Sequence, residues 1–141
     1  MNRMSSKHIS EDGIIMAQVH YWAKALAGMV ETQMELSAMV DGERLSIHKE
    51  NPAIYFAAMM TEAGELLNHF NWKPWKQERP VEVEDMAEEW ADVLAFFLVL
   101  TAFVMEATGL SAEELMDYHR FKTAVNMDRF TGKVPGYGIK P

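Results

Sequence analysis

Two acidic pairs are the residues of this sequence best suited to chemistry. Glu62 and Glu65 stand three residues apart, and Glu89 and Asp92 repeat that spacing. Residues three apart on a helix share a face, so each pair would present two carboxylates side by side. If the two helices pack antiparallel, all four carboxylates meet beside the core. The pattern predicts a site for Mg²⁺, with Mn²⁺ as the alternative, because hard cations relieve the repulsion between clustered carboxylates. A solvated acidic helix face is the competing interpretation.

A second group of residues is basic and amide-bearing. Lys122, Asn126 and Arg129 are spaced by four and three, which again places them on one helix face. An ammonium group, an amide and a guanidinium fork could together hold a polyphosphate. The alternative is a mildly basic helix end that complements the helix dipole.

The third candidate is the segment Trp72–Lys76, with the sequence WKPWK. Two tryptophans and two lysines within five residues could stack on a base and contact phosphate. A loop tryptophan that folds back over the core is the structural alternative.

Four helices are expected to position these groups. Periodicity, caps and breakers predict them over residues 11–40, 52–70 and 83–107 and from Ser111 onward. Strand signals are almost absent. The expected fold is an all-α, antiparallel bundle of four to five helices, forming a single domain over residues 1–141. Residues 1–10 and 131–141 are expected to be irregular.

The apolar residues of the second and third helices predict the core. On the second helix they are Phe56, Met59, Met60, Ala63, Leu66, Leu67 and Phe70. On the third helix the predicted stripe is Met86, Trp90, Val93, Phe97, Leu100 and Val104. The second half of the third helix is apolar on more than one face, so we expect a homodimer interface to cover the remainder.

Composition excludes several classes of function. The 141-residue chain has no cysteine, which rules out disulfide scaffolds and thiolate chemistry. Its net charge of −8 makes a nucleic acid polymer an unsuitable partner, although metal ions could still attract a small polyanion. The N-terminal residues lack a signal-peptide pattern, and the apolar run 93–105 is too short to span a bilayer. We therefore expect a cytoplasmic protein of bacterial or phage origin that does not bind membranes.

The two acidic motifs also resemble a known signature. Residues 61–66 read TEAGEL and residues 89–94 read EWADVL. These are similar to the ExxE and ExxD motifs of the all-α NTP pyrophosphohydrolase superfamily, which includes MazG-like enzymes. Three further segments resemble its dimeric dUTPase and phage dCTP/dUTP pyrophosphatase branch: residues 72–76, residues 109–115, and the K-x3-N-x2-R motif followed by Gly136-Tyr137.

The resemblance implies an enzyme and its substrate. It implies Mg²⁺-dependent hydrolysis of a pyrimidine deoxynucleoside triphosphate, dUTP first and dCTP second, to the monophosphate and pyrophosphate. The implied metal ligands are Glu62, Glu65, Glu89 and Asp92, and Glu62 would also orient or deprotonate the attacking water. The implied substrate-binding residues are Lys122, Asn126, Arg129, Gln33, Trp75, Lys76 and Tyr137.

Two other functions stay open at this stage. One is a MazG-like pyrophosphatase that accepts a broad or non-canonical set of nucleotides. The other is a non-enzymatic helical dimer or adaptor whose acidic pairs are merely solvated.

Overall fold

The computed structural model describes residues 11–41 and 51–132, and within these ranges four helices and no strand are present. We number them α1 (Glu11–Asp41), α2 (Ala53–Asn68), α3 (Val83–Thr108) and α4 (Ala112–Phe130). The all-α prediction is confirmed. Thr131 and Gly132 form a turn after α4, while residues 1–10 and 133–141 lie outside the described ranges.

The helix boundaries follow local sequence signals. The Asn51 side chain accepts a hydrogen bond from the backbone N–H of Ala53 at 3.2 Å, at the start of α2. Gly109 ends α3 in the left-handed conformation, with φ of 72°, and its N–H donates to the carbonyl of Met105. Ser111 and Glu114 then form the predicted capping box at the start of α4.

Helices α2 and α3 pack against each other and run antiparallel. Tyr55, in the first turn of α2, lies 5.5 Å from Phe103 near the end of α3, measured between ring centroids. Farther along α2, Glu62 meets Glu89 and Asp92 near the start of α3. The shared core is Tyr55, Val99, Leu100 and Phe103, with Met34, Met59 and Phe96 packed against it.

The buried face of α3 differs from the predicted stripe. The structure buries Leu98, Val99, Leu100, Thr101 and Phe103, so Leu100 is the one stripe residue in the buried set. Trp90, Phe97 and Val104 are instead 58%, 50% and 43% exposed. Both faces of this half of α3 are apolar, so periodicity alone could not decide which face the core uses.

The predicted core of α2 is corrected in the same way. Tyr55 is the residue that α2 buries, and it was not part of the predicted set. Phe56, Met60, Leu67 and Phe70 are exposed. Met59 does pack against the core as expected.

The chain divides into two compact units. One is continuous and spans Gly28–Gly109; the other combines residues 1–27 with residues 110–141. In the second unit, Nδ1 of His20 on α1 lies 3.9 Å from Oε1 of Glu113 on α4. All four acidic residues of the predicted metal site belong to the continuous unit.

Helix α3 is long and apolar enough, by length and composition alone, to cross a membrane. A helix at the core of a folded domain often meets the same criterion. Here Val99, Leu100 and Phe103 pack in the chain's own core, and 28% of the most apolar window of α3 is buried within the described structure. The absence of a membrane partner stays a prediction.

Candidate metal centre

Three carboxylates from two helices converge at one point. Glu62 of α2 and Glu89 and Asp92 of α3 each offer one oxygen atom, and these oxygens all lie within 4.8 Å of one another. Glu62 and Glu89 are half-buried, whereas Asp92 is exposed. The antiparallel packing of α2 on α3 produces this approach, because the one-turn spacing on α3 points both of its acids toward Glu62. We call these residues the carboxylate trio.

Glu65 flanks the carboxylate trio without belonging to it. It is exposed and lies one turn beyond Glu62 on α2. Its negative charge nevertheless acts on Glu89, where it is the strongest of the neighbouring charges. Its role as a fourth ligand stays a prediction.

The electrostatics of Glu89 reflect this crowding. Burial, followed by repulsion from Glu65 and then Glu62, raises the pKa of Glu89 above its ordinary value of 4.5. Asp92 adds a smaller repulsion in the same direction, and His69 is the one neighbour that acts to lower this pKa. Negative charge therefore exceeds positive charge at this point of the fold.

The donor set suits a hard divalent cation. All atoms that could bind metal in the carboxylate trio are carboxylate oxygens, with no imidazole or thiolate among them. Oxygen ligands favour Mg²⁺ or Mn²⁺ over softer metals, and Mg²⁺ accepts an incomplete protein cage because it retains several waters. Exposed acids also cluster without binding any ion, so the fit makes this a candidate site.

The predicted Trp-Lys loop, residues 72–76, follows directly after α2. The rings of Trp72 and Trp75 meet edge to face, with centroids 6.1 Å apart, and the Trp75 side chain is 72% exposed. Lys73 extends its ammonium group over the Trp72 ring at 4.9 Å from the centroid. An exposed tryptophan beside lysines is consistent with the predicted base and phosphate contacts, which stay predictions.

A cavity of about 340 Å³ opens beside this loop. Its lining residues are polar, cationic or aromatic: Asn68, Asn71, Trp72, Lys73, Lys76, Gln77 and Arg79. The volume is within the usual range for small-molecule sites, at roughly 300–1,000 Å³. Asn68 lies one helical turn after Glu65 on α2, so the cavity begins next to the acidic residues.

Gln33 lies in the continuous unit together with the acidic residues. It is half-buried on α1, and its Nε2 donates a hydrogen bond to Oγ of Ser37 at 3.4 Å. The carbonyl oxygen of the amide is the end that this bond leaves available for a base. Its role in reading a pyrimidine stays a prediction.

The predicted phosphate-binding residues lie on α4, in the other compact unit. Lys122 and Asn126 are exposed and Arg129 is half-buried, at the spacing that places them on one face. Their approach to the carboxylates stays a prediction. Tyr137 lies outside the described residues.

Sequence reasoning missed several residues around the loop. Asn68, Gln77 and Arg79 were not singled out as site residues, yet they line the cavity. His69 was not among the predicted site residues either, although its charge acts on Glu89. The sequence did contain a signal for Asn68 and His69. They follow Glu65 by three and four residues, a spacing that places them on the same helix face as Glu65.

The fold and the carboxylate trio define an all-α protein with a candidate centre for a divalent cation. Residues 25–104 match a family model described as dUTPase, and this match covers more than half of the chain. The protein therefore belongs to that family, the all-α dUTPase and MazG-like group. The matched range includes all four acidic residues, Gln33 and the Trp-Lys loop. No curated protein and no solved structure matches the chain significantly.

Proposed function

We propose that this protein hydrolyses a pyrimidine deoxynucleoside triphosphate to the monophosphate and pyrophosphate, with Mg²⁺ as its cofactor. We propose dUTP as the preferred substrate, with dCTP as the second candidate. Membership of the dUTPase family supports a nucleotide pyrophosphatase of this type.

The observation that carries this proposal is the carboxylate trio. Its oxygens lie within 4.8 Å of one another, between two helices that share an apolar core. Placing like charges so close is unfavourable by itself, as the raised pKa of Glu89 indicates. A bound divalent cation would offset this repulsion and attract a polyanionic substrate, whereas a solvated helix face would leave the repulsion in place.

Glu62, Glu89 and Asp92 would hold the cation, with Glu65 joining them. When bound, Mg²⁺ supplies positive charge for the triphosphate and lowers the pKa of a coordinated water. Glu62 is our candidate for the group that orients the attacking water or accepts its proton, since it is half-buried between the acids of α3.

The remaining predicted residues would bind the two ends of the nucleotide. Lys122 and Arg129 would stabilise negative charge that develops on the phosphates, and Asn126 would add a hydrogen bond. Lys76 would contact phosphate from the Trp-Lys loop. Trp75 offers an exposed face on which a base could stack, and Gln33 and Tyr137 complete the proposed set.

We also propose that a second copy of the chain covers one apolar face of α3. Val83, Trp90, Phe97 and Val104 recur every seven residues and are 74%, 58%, 50% and 43% exposed. A seven-residue repeat places side chains on nearly the same face of a helix. We call these four residues the α3 stripe. A contiguous apolar surface of this kind is typical of an interface.

A substrate panel with product identification tests the proposed activity. The protein is assayed with Mg²⁺ against dUTP, dCTP, dTTP and purine nucleotides, and the products are separated by ion exchange. We expect dUTP or dCTP to be consumed fastest, with pyrophosphate released in equal amount to the monophosphate. Stepwise release of orthophosphate would contradict cleavage between the α and β phosphates.

Two controls separate this proposal from its rivals. Comparable turnover of purine and pyrimidine nucleotides would favour the MazG-like alternative. For the adaptor alternative, Mg²⁺ titration by calorimetry is decisive: a solvated acidic face gives no saturable heat. The variant Glu89→Gln, prepared in parallel, shows whether any activity comes from a contaminating phosphatase.

A further inference from the structure

The segment that connects α2 to α3 is closed by the side chain of a single residue. Nδ2 of Asn71 donates a hydrogen bond to the backbone carbonyl of Arg79 at 2.9 Å. The backbone N–H of Arg79 donates in return to Oδ1 of Asn71 at 3.1 Å. The Asn71 amide therefore ties together two points of the chain that bracket the whole Trp-Lys loop.

Asparagine suits this position for two separate reasons. Among the described residues, Asn71 is the one non-glycine residue with positive φ, at 50°. Asparagine tolerates this left-handed conformation better than most side chains. Its amide also carries both a donor and an acceptor, so it can satisfy a carbonyl and an N–H at once. An aspartate would lose the donor, and a glycine would lose both.

Inside this closure the loop is further shaped by local contacts. The N–H of Lys76 donates to the carbonyl of Lys73 at 3.0 Å, which closes a turn with Pro74 at its second position. Nζ of Lys73 lies 3.4 Å from Oδ1 of Asn68, the last residue of α2. These contacts accompany the edge-to-face arrangement of Trp72 and Trp75.

We propose that Asn71 is a positioning residue, which holds the Trp-Lys loop in its nucleotide-binding shape before the nucleotide arrives. This inference rests on the proposed function, because it assigns the loop to substrate binding. The expected effect is on affinity. A loop that is already ordered loses less conformational entropy when the ligand binds. Chemistry at the carboxylate trio should depend little on Asn71.

Asn71→Gly is the first test variant, because glycine accepts positive φ and removes the two side-chain hydrogen bonds, although it also adds backbone freedom. Its matched control is Glu78→Gly, which adds the same backbone freedom to the same segment but leaves the Asn71 amide in place. We expect KM to rise roughly tenfold in Asn71→Gly, with kcat little changed. Glu78→Gly should keep the KM of the parent protein.

A second pair of variants tests the same contact from the backbone side. Arg79→Pro removes the N–H that donates to Asn71, while Arg79→Ala keeps this N–H and removes the same side chain. The difference between the two variants reports the loss of this N–H together with the fixed φ of proline. We expect KM to be higher in Arg79→Pro than in Arg79→Ala.

The third measurement does not require activity. Two tryptophans at this distance and angle should give an exciton couplet in circular dichroism, and Trp75→Phe should abolish it. We expect the couplet to be lost in Asn71→Gly and retained in Glu78→Gly, with the helix signal intact in both.

A parent protein that hydrolyses no nucleotide would refute the proposed function, whereas the couplet would still report on Asn71. An unchanged couplet in Asn71→Gly, or equal effects of the paired variants, would overturn this inference.

Discussion

The carboxylates of Glu62 and Glu89 approach within 4.8 Å across the interface between α2 and α3. The packing of Tyr55 against Phe103 and Val99 at the other end of the same interface fixes the alignment of the two helices. A change at the aromatic end could thus shift the acids without touching them.

Neutralising an acid of α3 should abolish catalysis while preserving the fold. We expect Glu89→Gln and Asp92→Asn to reduce nucleotide turnover to background and to lose the saturable heat of Mg²⁺ binding. Glu88→Gln is the matched control, because Glu88 is an exposed acid of the same helix that lies outside the carboxylate trio. Full activity of either α3 variant at ordinary Mg²⁺ concentrations would rule out its role as a ligand.

Stability without metal should depend on pH in a direction set by Glu89. Because the pKa of Glu89 is raised on folding, the folded protein holds this proton more tightly than the unfolded chain. The contribution of Glu89 to the stability of the folded state is therefore most favourable below pH 4.5 and is lost as the pH rises through the raised pKa.

In EDTA at neutral pH, Glu89→Gln should consequently melt at a higher temperature than the parent protein. The difference should shrink as the pH falls toward 4.5, where the parent carboxyl becomes protonated. Saturating Mg²⁺ should reverse the order, because a ligand of the folded state stabilises the parent more. Melting curves across pH, with Glu88→Gln beside them, test this; a parent protein that is the more stable one in EDTA would contradict it.

Loss of Lys122 should weaken substrate binding. We expect Lys122→Ala to raise KM about tenfold or more, since hydrogen bonds to charged groups are among the stronger ones. Lys24→Ala removes another exposed lysine and should have little effect. Steady-state kinetics of both variants decide the matter, and an unchanged KM for Lys122→Ala would remove this residue from the phosphate site.

A charge placed in the α3 stripe should break self-association. Phe97→Asp would bury an unpaired carboxylate in the proposed interface, which is strongly unfavourable. We expect the parent protein to sediment as a dimer and Phe97→Asp to sediment as a monomer. Val81→Asp is the control, because it introduces the same charge at an exposed apolar position just before α3, outside the α3 stripe. A monomeric parent protein would refute the proposed interface.

Gly64, between Glu62 and Glu65, offers a test of how closely a ligand approaches α2. An added Cβ there would meet no atom within 4 Å, and the residue lies inside a helix. Gly64→Ala should therefore stabilise the protein by about 0.5–1 kcal/mol. Gly28→Ala in α1 is the matched control, because its Cβ would also meet open space.

Stability and activity should be measured together for these two glycine variants. If Gly64→Ala is stabilised but binds nucleotide poorly, while Gly28→Ala stays active, the substrate must contact the α2 backbone at Gly64. A lower stability of Gly64→Ala would instead contradict the finding that an added Cβ at this position meets open space.

Local signals predicted the elements of this fold well. The capping box of Ser111 and Glu114 and the stop at Gly109 depend only on neighbouring residues, so they could be recognised in the sequence. The convergence of Glu62 with Glu89 and Asp92 was also predictable, because helix periodicity and an antiparallel return were enough to bring them together.

Features that depend on competition between surfaces could not be predicted. Helix α3 has two apolar faces, and only the packing of Tyr55 on Val99 and Phe103 selects which one is buried. The closure by Asn71 could not be recognised in the sequence either, because it requires a positive φ at one residue and a hydrogen-bond partner several residues later. No periodic pattern encodes either of these.

The continuity of residues 28–109 has a consequence for how the protein is made. Every member of the carboxylate trio lies in this continuous unit, so the two ends of the chain need not pair before these residues can meet during folding. The other unit draws on both ends of the chain and must wait until synthesis has passed residue 110.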